Sequence, residues 1–147
     1  MNIFTVLKKD HREVQDLFKD ILKDEDDLDE DKVETLCQML TVHMELEEKL
    51  FYPELKRHKE TSDMEEEAEL EHAEAKTLVR ALKKGGLDNT EMKVKIEMLQ
   101  LAINHHIEEE EKEVFPEAKE IISDDKISSI AEKFTAEKEK RMARAIA

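Results

Sequence analysis

Residues 43–53 read HMELEEKLFYP, and residues 106–116 read HIEEEEKEVFP. Both stretches start on a histidine, carry a glutamate four residues later and reach a proline ten residues later. A shift of 63 positions superimposes them, and the match extends upstream. Leu36 falls on Leu99, Leu40 on Ile103, His43 on His106, Glu47 on Glu110 and Pro53 on Pro116. A second shift, of 61, places His11 on His72, Val14 on Ala75 and Phe18 on Val79. The chain therefore reads as two helix-pair halves. Each half supplies two amphipathic segments, which is the pattern of an up-down-up-down bundle with a pseudo-twofold axis.

Working outward, apolar residues recur at helical spacing in four long segments and one shorter one. The first runs from Ile3 to Lys23, with Leu7, His11, Val14, Phe18 and Ile21 on one stripe. The acidic stretch Asp24 to Asp31 reads as an exposed loop whose last acids cap the next helix. The second segment runs from about Glu30 to Tyr52, with Leu36, Leu40, His43, Glu47 and Phe51 inward, and Pro53 is expected to kink or end it. The third is capped near Thr61, Ser62 and Asp63, carries Ala68, His72, Ala75, Val79 and Leu82, and stops at Gly85-Gly86. Asp88-Asn89-Thr90 offers caps for the fourth. Its stripe is Met92, Ile96, Leu99, Ile103, His106, Glu110 and Val114. A last helix, about Asp125 to Met142, carries Ile127, Ile130, Ala131 and Phe134 and is expected to pack across the others. The fold class that follows is all-α: an antiparallel four-helix bundle over about residues 3–120 with an additional C-terminal helix, in one domain spanning 1–147.

Composition agrees with this pattern. Of 147 residues, 43% are charged and only two are Gly and two Pro, which suits long helices joined by few turns. The net charge of −15 makes the chain a poor partner for a phosphate backbone, so no nucleic-acid partner is expected. No run approaches ~18 apolar residues, so no membrane span is expected, and the N-terminus MNIFTVLKKDH has no apolar stretch of signal-peptide length. Cys37 is the single cysteine and reads as a small core residue. Together these features lead us to expect a cytoplasmic protein. The charged outer faces show no apolar seam from which an oligomeric state follows.

Each of the four long segments places one histidine on its apolar stripe: His11, His43, His72 and His106. Residues at i and i+4 share a helix face, so Glu47 joins His43 and Glu110 joins His106. A lone histidine on such a stripe is more often a hydrogen-bonded core residue. Six polar groups on core stripes in a repeated frame are a different matter, because burying them is unfavourable unless something compensates them. A metal does so directly. Imidazole and carboxylate donors without thiolate suit iron, zinc, nickel or manganese. The Glu-x-x-His spacing of ferritin-like di-iron bundles occurs only at Glu69 and His72. There is no H-E-x-x-H zinc motif and no glycine-rich phosphate loop, and no serine has a base-and-orienter setting.

The stretches DHREVQDLF, HMELEEKLFYP, EHAEAKTLV and HHIEEEEKEVFP resemble the four helix signatures of hemerythrin-like, or HHE cation-binding, domains over about residues 3–120. The resemblance implies a four-helix bundle holding two iron ions, oxo- or hydroxo-bridged. It implies that His11 and His43 bind one iron, His72 and His106 the other, and that Glu47 and Glu110 bridge them. A fifth histidine, found in oxygen-carrying members one turn after the third-helix ligand, is replaced here by Lys76. His105 is no substitute, since it sits about 100° from His106 around the helix. Six protein ligands leave both irons with an open position. The implied function is binding of, or reaction with, a small oxidant: dioxygen, peroxide or nitric oxide. Oxidoreductase or peroxide-decomposing turnover is left open. The alternatives are an iron store, donor or sensor, including iron-centre repair, and a metal-free helical interaction module.

Other side chains receive plainer readings. Tyr52 lies about 140° from Glu47 on an ideal α-helix and reads as a packing residue. Lys76 reads as exposed, and Glu45, Glu48, Glu109 and Glu111 as a solvated face. Met39, Met44, Met92 and Met98 read as packing residues, and His58 as exposed.

Overall fold

A computed structural model describes residues 1–146, with side chains through Arg144. Helices joined by short connections make up the described residues, with no strand among them. Helix α1 spans Ile3–Lys23, the bounds expected from its stripe, and Asn2 caps it by accepting from the Phe4 and Thr5 amides. Helix α2 spans Glu30–Leu46. Asp29 caps it, so the end of the acidic loop has the capping role read from its composition. Helix α4 spans Ser62–Lys84 and stops at Gly85 and Gly86, whose φ of 77° and 78° suit glycine best. Helix α5 spans Asn89–Glu109 and opens with a capping box between Asp88 and Glu91.

Two π-helical turns interrupt this regular pattern, one at Glu47–Phe51 and one at Glu110–Val114. They are 63 residues apart, the spacing of the sequence repeat. In each, the backbone amide five residues on bonds to the glutamate carbonyl: Tyr52 N–H to Glu47 O, and Phe115 N–H to Glu110 O. The prolines account for this widening. In a regular α-helix, Pro53 would leave the Lys49 carbonyl without its donor and clash with it. A π turn resets the register and puts proline in the first turn of the helix that follows, where no amide is needed. Pro53 therefore does not end the second segment. The chain continues as α3, Tyr52–Lys56, and after Pro116 it continues as α6, Phe115–Ile121.

Helix contacts run α1 to α2, α2 to α4, α4 to α5 and α5 back to α1, which closes a ring. The last helix, α7, spans Asp124–Ile146, longer than expected, and packs on α1, α2 and the first π turn. The buried apolar residues form two clusters. One holds Leu7, Leu46, Phe51, Ala68, Phe115 and Phe134, and the other holds Val14, Phe18, Leu40, Ala75, Leu99 and Ile103. The four histidines sit between these two sets in sequence on their helices, so a polar layer separates two apolar ones. Cys37 lies in the second cluster, and burial pushes its thiol up to about 11, as suits an inert core residue.

One outer face differs from expectation. Val94, Met98 and Leu101 of α5 and Leu70 of α4 are exposed, Leu101 by 76%. An apolar strip therefore exists where the charge pattern suggested none, and Met98 is not a packing residue. No helix among the described residues is long and apolar enough to cross a membrane.

Candidate metal centre

All six residues singled out by the repeat are buried: His11, His43, Glu47, His72, His106 and Glu110. The structure brings them into one cluster. Donor atoms of Glu47, His72, His106 and Glu110 lie within 4.8 Å of one another, as do those of His11, His43 and Glu110. Glu110 belongs to both groups. Its Oε1 is 3.3 Å from His11 Nε2 and its Oε2 is 3.1 Å from His106 Nε2, so the carboxylate reaches both sides. Glu47 Oε1 lies 3.1 Å from His43 Nε2 and 3.4 Å from His72 Nε2. Each glutamate thus stands between one histidine of each pair.

The orientation of the four rings is the most informative feature. Every Nδ1 faces a carboxylate: His11 to Glu111 at 2.7 Å, His43 to Asp10 at 2.9 Å, His72 to Glu48 at 2.7 Å and His106 to Glu71 at 2.7 Å. A carboxylate only accepts, so Nδ1 donates, and Nε2 is the nitrogen each ring turns toward the cluster. This is the arrangement that orients metal-binding histidines. The four outer acids obey the sequence repeat. Asp10 and Glu71 each precede a histidine, and Glu48 and Glu111 each follow a central glutamate. Glu48 and Glu111 are therefore not a solvated face. Asp-His, Glu-His and Glu-Glu pairs at repeat-equivalent positions were the available signal.

Three of the outer acids also have a cation, and the fourth has a second imidazole nearby. Glu111 pairs with Arg12, Asp10 with Lys138, and Glu48 with Lys76 at 2.7 Å, while His105 lies 3.5 Å from Glu71. Lys76 is thus engaged rather than free in solvent, and His105 is an outer partner. His58 is half-buried and lies outside the cluster. Glu45 is exposed and pairs with Arg141, in keeping with a surface role. Glu109 is half-buried, and a hydrogen bond shared with Glu71 raises its carboxyl to about 7.

Tyr52 departs most from the sequence reading. The π turn places it over Glu47 instead of 140° away. Its hydroxyl donates to Glu110 Oε2 at 2.5 Å and lies 3.1 Å from His72 Nε2. At the equivalent place in the second half stands Phe115, whose ring stacks on His11 with centroids 6.1 Å apart.

The electrostatics show what the cluster lacks. Burial disfavours imidazolium at His43, but Glu47 and then Asp10 outweigh it and raise the group to about 10. His106 is likewise raised well above its ordinary value against burial, chiefly by Glu110, and His72 is raised by Glu47 and Glu48. Burial works against the Glu110 carboxylate too, yet His106 and His11 hold it well below the usual range. The site therefore pulls in positive charge. Even so, His11 Nε2, His43 Nε2, both Glu47 oxygens and Glu110 Oε1 are buried with no hydrogen-bond partner. His72 Nε2 and His106 Nε2 face each other at 3.2 Å. Orphaned polar atoms and buried carboxylates converging on one place are costly unless a cation lies among them. The donor set, imidazole plus carboxylate, fits a metal of the iron or zinc type.

The family model of the Hemerythrin HHE cation binding domain matches residues 2–118. The chain belongs to the hemerythrin HHE cation-binding family. Among curated proteins, this HHE chain is 27% identical over 141 residues to one called DNA nickase from Nostoc sp. (strain PCC 7120 / SAG 25.82 / UTEX 2576). The alignment covers 95% of the HHE chain but 40% of that relative's length. No solved structure matches the chain. The family match ends before α7, so Lys138 and Phe134 reach the HHE site from outside the matched region.

Proposed function

We propose that this chain holds two iron ions, one between His11 and His43 and one between His72 and His106, with Glu47 and Glu110 bridging them. We further propose that the centre binds or reacts with a small oxidant: dioxygen, peroxide or nitric oxide. The observation that carries this reading is the convergence of four Nε2 atoms and two carboxylates on one buried place, with His11 Nε2, His43 Nε2 and three carboxylate oxygens left without hydrogen-bond partners and each ring held from behind by an acid. Bound iron would supply Lewis acidity and an accessible redox couple. The chain's own part is to orient the rings, to keep Nδ1 protonated and Nε2 free, and to exclude bulk water with the two apolar layers. The ring of helix contacts supports one antiparallel four-helix bundle domain with α7 laid across it, and the unpaired Cys37 fits a cytoplasmic setting.

The orphaned atoms also favour a second reading, an iron sensor or store in which occupancy itself is the signal. Buried groups that only a metal satisfies make the loaded fold more stable than the empty one. DNA nicking, the activity in the Nostoc relative's name, is not carried over. The net charge of −15 opposes approach to a phosphate backbone, and the alignment covers less than half of that protein.

The deciding experiment is elemental analysis with anaerobic ferrous titration, followed by exposure to dioxygen, peroxide and nitric oxide. Two irons per chain and a spectral response to one of these gases or peroxide support the first reading. Two irons with no response, and a large stability gain on loading, favour the sensor. No uptake leaves a metal-free helical module.

A further inference from the structure

Tyr52 occupies a corner of the cluster that the six side chains above leave open. The residue is 1% exposed. Its oxygen lies 2.5 Å from Glu110 Oε2, 3.1 Å from His72 Nε2 and 3.2 Å from His106 Nε2. The two Nε2 atoms are themselves 3.2 Å apart. A single metal imposes such spacings: bonds of roughly 2.1 Å at right angles separate neighbouring donors by about 3 Å. Packing alone does not account for a hydroxyl placed among three donors. The backbone puts it there, because the π turn sets Tyr52 one turn beyond Glu47. The other half of the repeat has Phe115 at this place, so no phenol oxygen reaches His11 and His43 from the matching position.

We propose that Tyr52, as phenolate, is a protein ligand of the metal held by His72 and His106 in its ferric state. This rests on the di-iron reading above. On coordination the phenol O–H bond breaks, the oxygen forms a bond to the ferric ion and the proton leaves to water, and no electron moves. The two metals are then unlike. The His72/His106 metal has one more protein donor than its neighbour, so the open position for a small ligand belongs to the metal at His11 and His43.

Tyr52 is the only tyrosine in the chain, which makes the test specific. Apo-protein is loaded anaerobically with two equivalents of ferrous iron and then oxidised with dioxygen. Its visible and resonance Raman spectra are recorded with ordinary and with ring-deuterated tyrosine, and for Tyr52→Phe. The expected result is a phenolate-to-iron band in the visible, ring vibrations that shift on deuteration, and loss of both in Tyr52→Phe while two irons per chain remain. Two bound irons with no such band in the parent chain overturn the ligand assignment and leave the di-iron reading intact. A band that persists unshifted with deuterated tyrosine overturns it as well, whether or not Tyr52→Phe folds. A parent chain that takes up no iron overturns both.

Discussion

Lys138 of α7 ion-pairs with Asp10, and Asp10 accepts a 2.9 Å hydrogen bond from His43 Nδ1. Phe134, one turn earlier on α7, packs edge-to-face with the same imidazole, the ring centroids 5.9 Å apart. A helix beyond the family-matched region therefore orients one histidine of the cluster. Loss of the group that hydrogen-bonds a metal-bound histidine typically weakens metal binding roughly 10- to 100-fold, and Lys138 acts one step further out, through Asp10. On the proposed di-iron reading, Lys138→Ala is expected to weaken binding of the iron at His43 by about tenfold, the low end of that range, while the other is unaffected. Stepwise anaerobic titration would show this. Arg141→Ala, which removes a surface pair with Glu45, serves as the control and leaves both affinities unchanged.

The central histidines also serve the metal-free fold, because each is paired with buried acids: His43 with Asp10 and Glu47, His106 with Glu71 and Glu110. Replacing both with Leu takes the cationic partner from those carboxylates. The variant should be less stable than the apo parent by about 3 kcal/mol, and should bind no iron. Urea melts of both apo forms, with iron content by elemental analysis, check the two halves of this expectation.

The pH dependence of the apo-protein follows from His43, raised from 6.5 to about 10 by Glu47 and Asp10 against burial. Its imidazolium stabilises the fold fully below the unfolded value of 6.5, and that contribution is lost as pH rises through about 10. Glu110, held low by His106 and His11, stabilises above its ordinary 4.5 and loses that contribution as pH falls. Iron competes with the imidazole proton. Uptake should therefore release protons and tighten as pH rises from neutrality. Urea melts across pH 6 to 10 and proton release in weakly buffered solution measure the two effects; uptake without proton release would contradict this account.

Glu65 of α4 is buried, and its Oε2 has no partner. Burial and then a hydrogen bond with Glu69 raise its carboxyl from 4.5 to about 7. For an acid raised in this way, ionisation opposes folding, so stability falls as pH climbs from 4.5 to about 7. Glu65→Gln removes that loss and should stabilise the chain by about 1 kcal/mol at pH 8, with little change at pH 4. Thermal melts at the two pH values test it, and iron content should not change.

The chain's periodicity placed His11, His43, His72 and His106 on inward stripes, and two constant shifts related Glu47 to Glu110. Residues at i and i+4 on one helix need no tertiary information to share a face, so the six-residue cluster could be read in advance. The family resemblance added the ligand pairing and the metal. The bounds of α1, the caps at Asp29 and Asp88, and the stop at Gly85 are likewise local, because they depend on amides and φ angles within a few residues.

Other features depended on elements that meet only when the chain is folded. Asp10, Glu48, Glu71 and Glu111 face histidines on other helices, and nothing in one helix's periodicity says which of many exposed-looking acids turns inward. Tyr52 was misplaced for a different reason. Angular reasoning assumes 100° per residue, and the π turns at Glu47 and Glu110 break that assumption by adding a residue to the turn. Pro53 and Pro116 announced the irregularity without saying whether the helix would end or widen. Sequence alone therefore determined the helices, their inward faces and the repeated donor set. The folded structure decided which carboxylate anchors each ring, how α7 reaches His43, and that a phenol stands on one side of the cluster and a phenyl ring on the other, because those relations depend on neighbouring helices and on a change of helical pitch.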